Sequence, residues 1–384
     1  MDDQTKPAFS VATLAAQAPT VHEPTTNAII QPIHMSATFL RDADNRYPAG
    51  YVYGRTDNVS VQQAESLIAA LEGAEEAFLF GSGMAAATSV FLALERPTHI
   101  VASRVMYWGF RSWLREIGRY GHRVSFVETS DLDATRAAVV PGETGLFWIE
   151  TPSNPLWTIS DLAAIAEIAH GAGAIMCVDS TVATPILTRP LALGADIVMH
   201  SATKYLNGHS DVVAGCLASA RDGQLWSRIR RMRGQLGNAL GAFDAWLLTR
   251  GMRTLDIRVR SQAKTAMLLA ELLDGHPAIS DVLYPGLQHH PGHATALRQM
   301  IGGFGGMFSI RLKKGENAAI AVAAAVHLWK RATSFGGVES LIEHRASIEG
   351  DGSPCPRDLL RFSVGLEDAD ELYRDLIRAL EAAA

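Results

Sequence analysis

The sequence predicts an α/β protein in which helices cover both faces of a mostly parallel sheet, followed by a smaller α+β domain. Three observations support this fold class. From Glu76 to Ser219 short apolar runs alternate with helical patterns, which is the order of an α/β fold. The runs are almost continuously apolar, as expected of strands that are buried on both faces. After about Ala245 the pattern changes to strands mixed with helices in a different order.

Seven apolar runs predict the strands of the first sheet. They are EEAFLF, HIVAS, RVSFVE, GLFWIE, AIMCVDS, DIVMHS and VVAGCLAS, and the helical patterns among them are MAAATSVFLAL, WGFRSWLREIG, DLDATRAAV and DLAAIAEIAH. In sheets of this kind ligands bind at the carboxyl ends of the strands. We therefore expect the chemistry in the loops that follow these runs.

Two further parts flank the predicted sheet. Residues before about Glu65 contain prolines and glycines with weak periodicity, which is typical of an extended arm that needs another surface. Beyond the sheet, a helical stretch around residues 245–273 precedes the strands GGMFSIRL and LLRFSVGL and the closing helix DADELYRDLIRALEAA. We predict an arm over residues 1–60, an α/β domain over 61–244 that carries the expected ligand site, and an α+β domain over 245–384.

Composition narrows the class of partner. The chain has 384 residues, of which 48% are hydrophobic and 19% charged, so it can bury a large core. A net charge of -6 with scattered Lys and Arg favours neither nucleic acid nor anionic lipid, and we expect a small-molecule partner. Three cysteines are too few for a disulfide framework. The N-terminus has no signal-peptide pattern and no apolar run approaches the roughly 18 residues that span a bilayer, so we expect a cytoplasmic protein without membrane contact.

Lys204 is the first candidate for catalysis. It is the only lysine between Pro7 and Ala263, and it follows the strand DIVMHS in the loop SATKYLNGHSD. A lysine amine beside apolar walls loses its proton more easily and forms a Schiff base with a carbonyl cofactor. The alternative interpretation is an ordinary solvated loop lysine, so the neighbouring motifs decide between the two.

A phosphate cradle is predicted at the turn FGSGMAA. The turn places the backbone amides of Gly83 and Met84 at a helix N-terminus, where phosphate binds readily. The third glycine of a dinucleotide fingerprint is missing, so one compact phosphate suits the turn better than NAD. Ser201 and Thr203 flank the lysine and offer hydroxyl donors to the same phosphate, although such residues also stabilise turns.

Two polar residues follow neighbouring strands. Asp179 ends the run AIMCVD, where a charge is costly unless it meets a cation, and a protonated pyridine nitrogen would supply one. This pairing makes pyridoxal 5'-phosphate (PLP) an electron sink. Asn154, in ETPSNP, offers an amide to the cofactor's phenolic oxygen. A helix cap and a proline-bounded turn are the plainer alternatives for these two residues.

A metal site has less support. The segment HHPGH brings His289, His290 and His293 close together in sequence, but it lies in a Pro/Gly loop and has no obvious fourth ligand. We interpret it as a surface loop and expect no metal.

Together these segments resemble one family. SATKYLNGHSDVVAG, VDSTVATP, ETPSNP and GSGMAA occur in the order found in the PLP-dependent transsulfuration family of cysteine and methionine metabolism. The resemblance extends from QPIHMSATF through YVYGR to SFGGVESL and LLRFSVGLE. It implies fold type I of the PLP-dependent transferases, similar to aspartate aminotransferase, with a seven-stranded sheet. It also implies a homotetramer whose active sites are shared between subunits.

The resemblance assigns further residues. Tyr53 and Arg55 of the arm are expected to reach the neighbouring subunit's cofactor phosphate, where a planar guanidinium binds well. Tyr107 is expected to stack on the cofactor ring and to act as an acid or base. Arg361 corresponds to the arginine that binds the substrate's α-carboxylate, and Ser334 to a residue of the substrate pocket.

The departures from the family pattern concern the substrate. Thr333 occupies a position that distinguishes cystathionine enzymes acting at Cγ from β-lyases and methionine γ-lyases, and none of these usually has threonine there. EHRASIEG replaces a common His-Pro-Ala-Ser-Met-Thr pattern and brings Arg345 and Glu349 near the expected pocket edge, which favours a polar or charged distal group on the substrate.

We expect γ-elimination or γ-replacement on an amino acid of the cystathionine or homoserine-derivative type, because SFGGVESL is closer to γ-synthases and γ-lyases than to β-lyases. Open alternatives are a cystathionine β-lyase, a methionine γ-lyase-like C–S lyase and a γ-lyase with a non-sulfur leaving group. A non-catalytic PLP-binding protein is an alternative of a different class.

Overall fold

The structure is a computed structural model that describes residues 9–18, 23, 25–350 and 352–383. The predicted arm over residues 1–60 lies partly outside the described residues. Most of the N-terminal segment on which the expectation of no signal peptide rests also lies outside them. No described helix combines the length and the apolar character needed to cross a membrane.

The helices of the described residues are α1 (Val11–Gln17), α2 (Val59–Glu72), α3 (Gly83–Leu92), α4 (Trp108–Arg115), α5 (Leu132–Ala137), α6 (Leu162–Gly171), α7 (Thr184–Leu187), α8 (Gln224–Leu236), α9 (Ala242–Met252), α10 (Leu255–Leu273), α11 (His293–Gln299), α12 (Glu316–Ala325), α13 (Ala346–Glu349) and α14 (Ala369–Ala382). The strands are β1 (Glu76–Phe80), β2 (His99–Ser103), β3 (Arg123–Val127), β4 (Thr144–Glu150), β5 (Ile175–Asp179), β6 (Ile197–His200), β7 (Gly215–Ser219), β8 (Ile279–Leu283), β9 (Met307–Leu312), β10 (Lys330–Arg331), β11 (Leu341–Glu343) and β12 (Leu359–Ser363).

The first sheet has seven strands in the order β1-β7-β6-β5-β4-β2-β3. Its pairs are parallel except that β7 runs antiparallel to both of its neighbours. The second sheet has five strands in the order β10-β11-β12-β9-β8. The predicted fold class, a large mostly parallel sheet with a smaller α+β part, is confirmed.

Both faces of the large sheet are buried. On β2, Ile100 and Ala102 pack into a core with side chains of α3, α4 and α8, whereas Val101 packs on the opposite face with side chains of α6. Successive side chains of a strand point to opposite faces, so a strand covered on both sides must be apolar at every position. This explains the continuously apolar runs.

The helical stretch predicted over residues 245–273 consists of two helices, α9 and α10, separated at Arg253 and Thr254. A Cβ added to Gly251 would lie 2.2 Å from the carbonyl oxygen of Asn207, so the chain approaches the lysine loop closely there. Arg258 donates to the carbonyl oxygens of Gly251 and Tyr205, both at 2.9 Å. The predicted domain boundaries at residues 60 and 244 stay predictions.

Candidate active site

One cavity of about 220 Å³ opens where β4, β5 and β6 end and α3 begins. It brings together eight residues that the sequence nominated from separate motifs: Gly83, Met84, Tyr107, Asn154, Asp179, Ser201, Thr203 and Lys204. Parallel strands deliver their carboxyl ends to the same edge of the sheet, which is why loops distant in sequence meet here.

The amine of Lys204 is held inside this cavity. Its Nζ donates to Ser334 Oγ at 2.6 Å and lies 5.2 Å from the centre of the Phe335 ring. Burial, reinforced by the positive charge of Arg361, lowers the pKa of Lys204 to about 8. An amine with this pKa is partly neutral near physiological pH, and a neutral amine is the nucleophilic form.

Ser334 reaches Lys204 from a strained backbone. Its φ is 97°, a region that residues other than glycine rarely adopt. Its carbonyl oxygen accepts a hydrogen bond from Arg361 Nη2 at 2.9 Å. Strain of this kind persists only where surrounding contacts fix the conformation, and it is concentrated at functional sites. The two contacts of Ser334 therefore join the lysine to the arginine.

The N-terminus of α3 forms the predicted cradle. Ser82 Oγ accepts from the amide of Ala85 at 3.0 Å, whereas the first-turn amides of Gly83 and Met84 have no carbonyl one turn earlier with which to pair. A Cβ added to Gly83 would lie 2.9 Å from both Cβ and Oγ of Ser201. The cradle is therefore closed on one side by the lysine loop and has room for a compact anion.

The two hydroxyls beside the lysine are not equivalent. Thr203 Oγ1 donates to the carbonyl oxygen of Ala214 at 3.1 Å and accepts from its amide at 3.0 Å. The hydroxyl of Ser201 has no hydrogen-bond partner among the described residues. Of the two predicted phosphate ligands, Ser201 is the one whose proton is available.

Asp179 ends β5 at the wall of the cavity. Its Oδ1 accepts from the amide of Thr181 at 3.0 Å and from Thr181 Oγ1 at 2.5 Å. Thr181 Oγ1 also accepts from the amide of Ser201 at 2.9 Å. Burial raises the pKa of Asp179. A cation placed against Asp179 would oppose that effect and keep the carboxylate ionised.

Glu150, which the sequence analysis did not identify, orients two cavity residues. It ends β4 beside Asp179, and its two carboxylate oxygens accept from the amide of Tyr107 at 2.7 Å and from the amide of Asn154 at 2.9 Å. Burial and the charge of Asp179 raise the pKa of Glu150 well above its ordinary value. The signal that identified Asp179, an acidic residue at the end of an apolar run, was also present in GLFWIE.

Arg361 lies behind the lysine and is fully buried. Its Nη1 donates to Asn154 Oδ1 at 3.2 Å, and its Nη2 donates to Ser334 as described and to Glu343 Oε2 at 2.5 Å. Burial lowers the pKa of Arg361 to about 10, so the guanidinium stays charged at neutral pH. A planar cation beside the lysine suits a carboxylate ligand.

Five predicted site residues do not line this cavity. Ser334 and Arg361 lie next to it through their contacts with Lys204 and Asn154, whereas the other three are farther away. Thr333 is exposed and lines a separate cavity of about 230 Å³ that also contacts Glu343 and His344. Tyr53 and Arg55 are exposed, and the guanidinium of Arg55 lies 5.2 Å from the centre of the Tyr53 ring. Neither arm residue contributes to the cavity of its own chain.

The histidine-rich loop has backbone partners. His290 Nδ1 accepts from the amide of Gly292 at 3.1 Å, and His293 Nδ1 lies 2.9 Å from the carbonyl oxygen of Pro285. Among the described residues, no three His, Cys, Asp or Glu side chains converge in a way that would hold a metal ion.

The cavity residues fit PLP. Lys204 supplies an amine for an aldehyde, and Asp179 supplies an anion for a pyridine nitrogen. The amides of Gly83 and Met84, with the free hydroxyl of Ser201, supply donors for one phosphate. The close approach of Gly83 to Ser201 keeps these phosphate donors together.

Comparison with known proteins agrees with this fit. Residues 12–381 match the family model described as Cys/Met metabolism PLP-dependent enzyme. The chain is 43% identical over 376 residues to a cystathionine gamma-synthase of Mycobacterium bovis, covering 96% of each chain. It is 39% identical to a cystathionine gamma-lyase of Bacillus subtilis, covering 93% of this chain and 95% of that protein.

Two crystal structures are similar over almost the whole chain. The structure of metB from Corynebacterium glutamicum has a TM-score of 0.95 at 39% identity and covers 100% of both chains. Cystathionine gamma synthase from Xanthomonas oryzae pv. oryzae, in complex with cystathionine, has a TM-score of 0.92 at 36% identity and covers 98% of both.

Proposed function

This chain belongs to the family of PLP-dependent enzymes of cysteine and methionine metabolism, and on that premise we propose that it catalyses γ-elimination or γ-replacement on an amino acid of the cystathionine or homoserine-derivative type. The observation that carries the proposal is the placement of Lys204, whose amine lies in the cavity with Ser334 and Arg361 behind it. A single base in this position serves proton transfer at both Cα and Cβ of a bound amino acid, which γ-chemistry requires. Similarity to relatives named γ-synthase and γ-lyase supports cleavage at Cγ.

Besides Lys204, which joins PLP covalently, five residues of the cavity are proposed to bind the cofactor's phosphate and ring. When bound, PLP supplies an aldehyde that joins to amines and a ring that withdraws electrons from the substrate's Cα. Gly83 and Met84 bind its phosphate through their amides, and Ser201 does so through its hydroxyl. Asp179 would keep the ring nitrogen protonated, and Asn154 would offer its amide to the phenolic oxygen. Thr181 holds Asp179 and the Ser201 segment in register.

The substrate is oriented and deprotonated by the residues behind the lysine. Arg361 binds the α-carboxylate through its planar guanidinium and so directs the Cα proton toward Lys204. Lys204 Nζ removes that proton and then moves a proton at Cβ before the γ-substituent departs. Tyr107, which lines the cavity and is 45% exposed, would hold the cofactor ring by stacking and would exchange a proton with the leaving group. Ser334, which contacts Lys204, forms part of the wall of the substrate pocket, whereas Thr333 lines the separate cavity beside Glu343 and stays a predicted substrate residue.

The test is a substrate screen with product identification. The purified enzyme with PLP is incubated with cystathionine, homocysteine, O-acylhomoserines and methionine, with and without cysteine as the acceptor thiol, and the keto acids and amino acids are identified. We expect 2-oxobutyrate, or cystathionine when an O-acylhomoserine and cysteine are both present. Pyruvate as the keto acid from cystathionine would contradict γ-elimination. The matched variant Lys204→Ala should give no turnover and no visible absorbance from covalently bound PLP.

We propose that the enzyme works as a homotetramer with shared active sites. Apolar side chains of the arm region are exposed in the single chain: Leu40 is 92%, Ile29 85% and Met35 72% exposed. An extended segment that exposes such side chains is stabilised when a second copy covers them. A role for Tyr53 and Arg55 at the phosphate of the neighbouring subunit would also explain why they lie outside their own cavity. Light scattering coupled to size-exclusion chromatography measures the assembly directly.

We also propose a cytoplasmic location. The three cysteines, Cys177, Cys216 and Cys355, are unpaired and buried, as expected for a protein of a reducing compartment. Fractionation of the source cells, followed by detection of the enzyme with an antibody, tests the location.

A further inference from the structure

Four buried charged side chains form a line that begins at Arg361 and runs away from the cavity. Their exposed fractions are 3% for Arg361, 6% for Glu343, 4% for Arg345 and 7% for Glu349. The charges alternate along the line, and each contacts the next within hydrogen-bonding distance. Charges interact more strongly in a protein interior than in water, so a change at one end is felt at the other.

Glu343 is shared between two arginines through a single oxygen. Its Oε2 accepts from Arg361 Nη2 at 2.5 Å and from Arg345 Nη1 at 3.0 Å. Its Oε1 is buried and has no hydrogen-bond partner among the described residues. The two arginines therefore compete for the same acceptor. A stronger interaction between Glu343 and Arg345 therefore weakens the interaction between Glu343 and Arg361.

Glu349 controls the other side of Arg345. Its Oε1 accepts from Arg345 Nε at 3.2 Å and from Nη2 at 2.9 Å, and its Oε2 accepts from the hydroxyl of Ser353. The position of Arg345 thus depends on two carboxylates, one of which also contacts the arginine of the active site. With Glu343 and Glu349 ionised, the four charges sum to zero.

We propose that Arg345 and Glu349 are positioning residues that set how strongly Arg361 binds the substrate's α-carboxylate. This inference rests on the proposed role of Arg361. A carboxylate that approaches Arg361 competes with Glu343 for the guanidinium. Arg345 weakens that competition because it also pairs with Glu343. Glu349 in turn pairs with Arg345 and so weakens the pair between Arg345 and Glu343.

The proposal predicts opposite effects for the two residues. Arg345→Gln leaves the line with a net charge of minus one. Glu343 then pairs only with Arg361 and competes more strongly with the substrate carboxylate, so KM rises.

Glu349→Gln leaves a net charge of plus one. Arg345 then pairs only with Glu343 and weakens its competition for Arg361, so KM falls. We expect changes of about tenfold, the order of effect that one charge in a neighbouring ion pair has on a buried group. The double variant restores neutrality, and its KM should return toward that of the parent enzyme.

The experiment measures KM and kcat of the PLP-loaded enzyme for L-cystathionine, or for the amino acid that the substrate screen identifies. Arg311→Gln is the matched control, because it removes an arginine of the same sheet whose partner, Asp358, lies outside the line. We expect kcat to change much less than KM in the line variants and neither constant to change in the control. Thermal unfolding of each variant separates loss of fold from loss of substrate binding.

The signs of the KM changes decide the outcome. A higher KM in Arg345→Gln and a lower KM in Glu349→Gln, with recovery in the double variant, support the proposal. Reversed shifts, shifts in the same direction, or no shift overturn it and leave the line as a structural brace. If Arg345→Gln does not fold, a lower KM for Glu349→Gln that the double variant reverses is sufficient support, and an unchanged or higher KM overturns the proposal. Arg361→Lys tests the role of Arg361 separately from that of Arg345 and Glu349. An unchanged KM in this variant refutes carboxylate binding by Arg361, and the inference about Arg345 and Glu349 is then refuted as well.

Discussion

The reactivity of Lys204 is set by its surroundings. Burial and the nearby charge of Arg361 make its protonated form less stable, whereas Glu343 acts in the opposite direction. Because the pKa is lowered from 10.5 to about 8, a rise in pH through that value converts the ammonium into the nucleophilic amine. The lysine therefore reacts at a pH where an exposed lysine stays protonated.

This gives a pH-dependence for cofactor capture. In the apo-protein we expect the rate of covalent PLP binding, followed by visible absorbance, to rise with pH and to have its midpoint near 8. Nα-acetyl-lysine is the control, because PLP itself titrates equally in both reactions. A protein midpoint that coincided with the midpoint of the free amino acid would show that the buried setting has no effect on the amine.

Asp179 acts on the electronic properties of the ring rather than on attachment of the cofactor. For Asp179→Asn we expect PLP still to bind covalently, because Lys204 and the phosphate cradle are intact. We expect kcat to fall by at least about a hundredfold, since a preorganised charge is lost where charge develops. Absorbance and steady-state kinetics measure the two effects separately. A variant that lost the cofactor, or kept its kcat, would refute this division of roles.

At the scale of elements, the site depends on how closely α3 approaches the lysine loop. The seven apolar runs correspond to strands β1 to β7. A Cβ on Gly215 of β7 would lie 2.2 Å from the carbonyl oxygen of Ser82, and one on Gly83 would meet Ser201. The helix N-terminus is thus held against the sheet through two glycines. This contact positions the amides that are proposed to bind phosphate.

Gly83→Ala tests that contact. The added methyl group would push the first turn of α3 away from Ser201, and we expect PLP affinity to fall about tenfold, or ~1.4 kcal/mol. Equilibrium titration of the apo-protein with PLP measures the change. The matched control is Gly171→Ala in α6, where an added Cβ meets nothing within 4 Å. Equal PLP affinities in Gly83→Ala and Gly171→Ala would show that the N-terminus of α3 does not bind the phosphate.

At the scale of the whole molecule, a single chain contributes only some of the residues of the proposed shared site. Lys204, Asp179 and Tyr107 line the cavity, while Arg55 is exposed elsewhere on the same chain. If subunits exchange arms, a site built on one chain's lysine needs the neighbour's Arg55. The chemistry would then depend on assembly.

Mixing two inactive variants tests this dependence. Lys204→Ala and Arg55→Ala should each have little activity, but a hybrid dimer contains one site with both residues intact. Co-refolded mixtures should recover up to about a quarter of the parental activity, because half of the dimers are hybrid and each has one working site of two. Refolding each variant alone is the control. A mixture no more active than its components would place Arg55 in its own chain's site or outside any site.

Much of the site was open to prediction from local sequence because each motif carries its own signal. A lysine after an apolar strand, a glycine turn before a helix and an acidic residue at a strand end are readable one at a time. Glu150 carried such a signal and was missed. Thr181 carried none, because its importance comes from hydrogen bonds to Asp179 and Ser201, two residues on different loops.

The sequence by itself determined the fold class and the order of the elements, and it gave the candidate residues for binding PLP, because these depend on periodicity and on residue type. Only the tertiary structure decided which side chains compete for the same partner. Arg361 and Arg345 are 16 positions apart, and nothing in their spacing shows that both donate to Glu343 Oε2. Such sharing arises where β11, α13 and β12 pack together, since the strength of a buried charge depends on all of its neighbours at once.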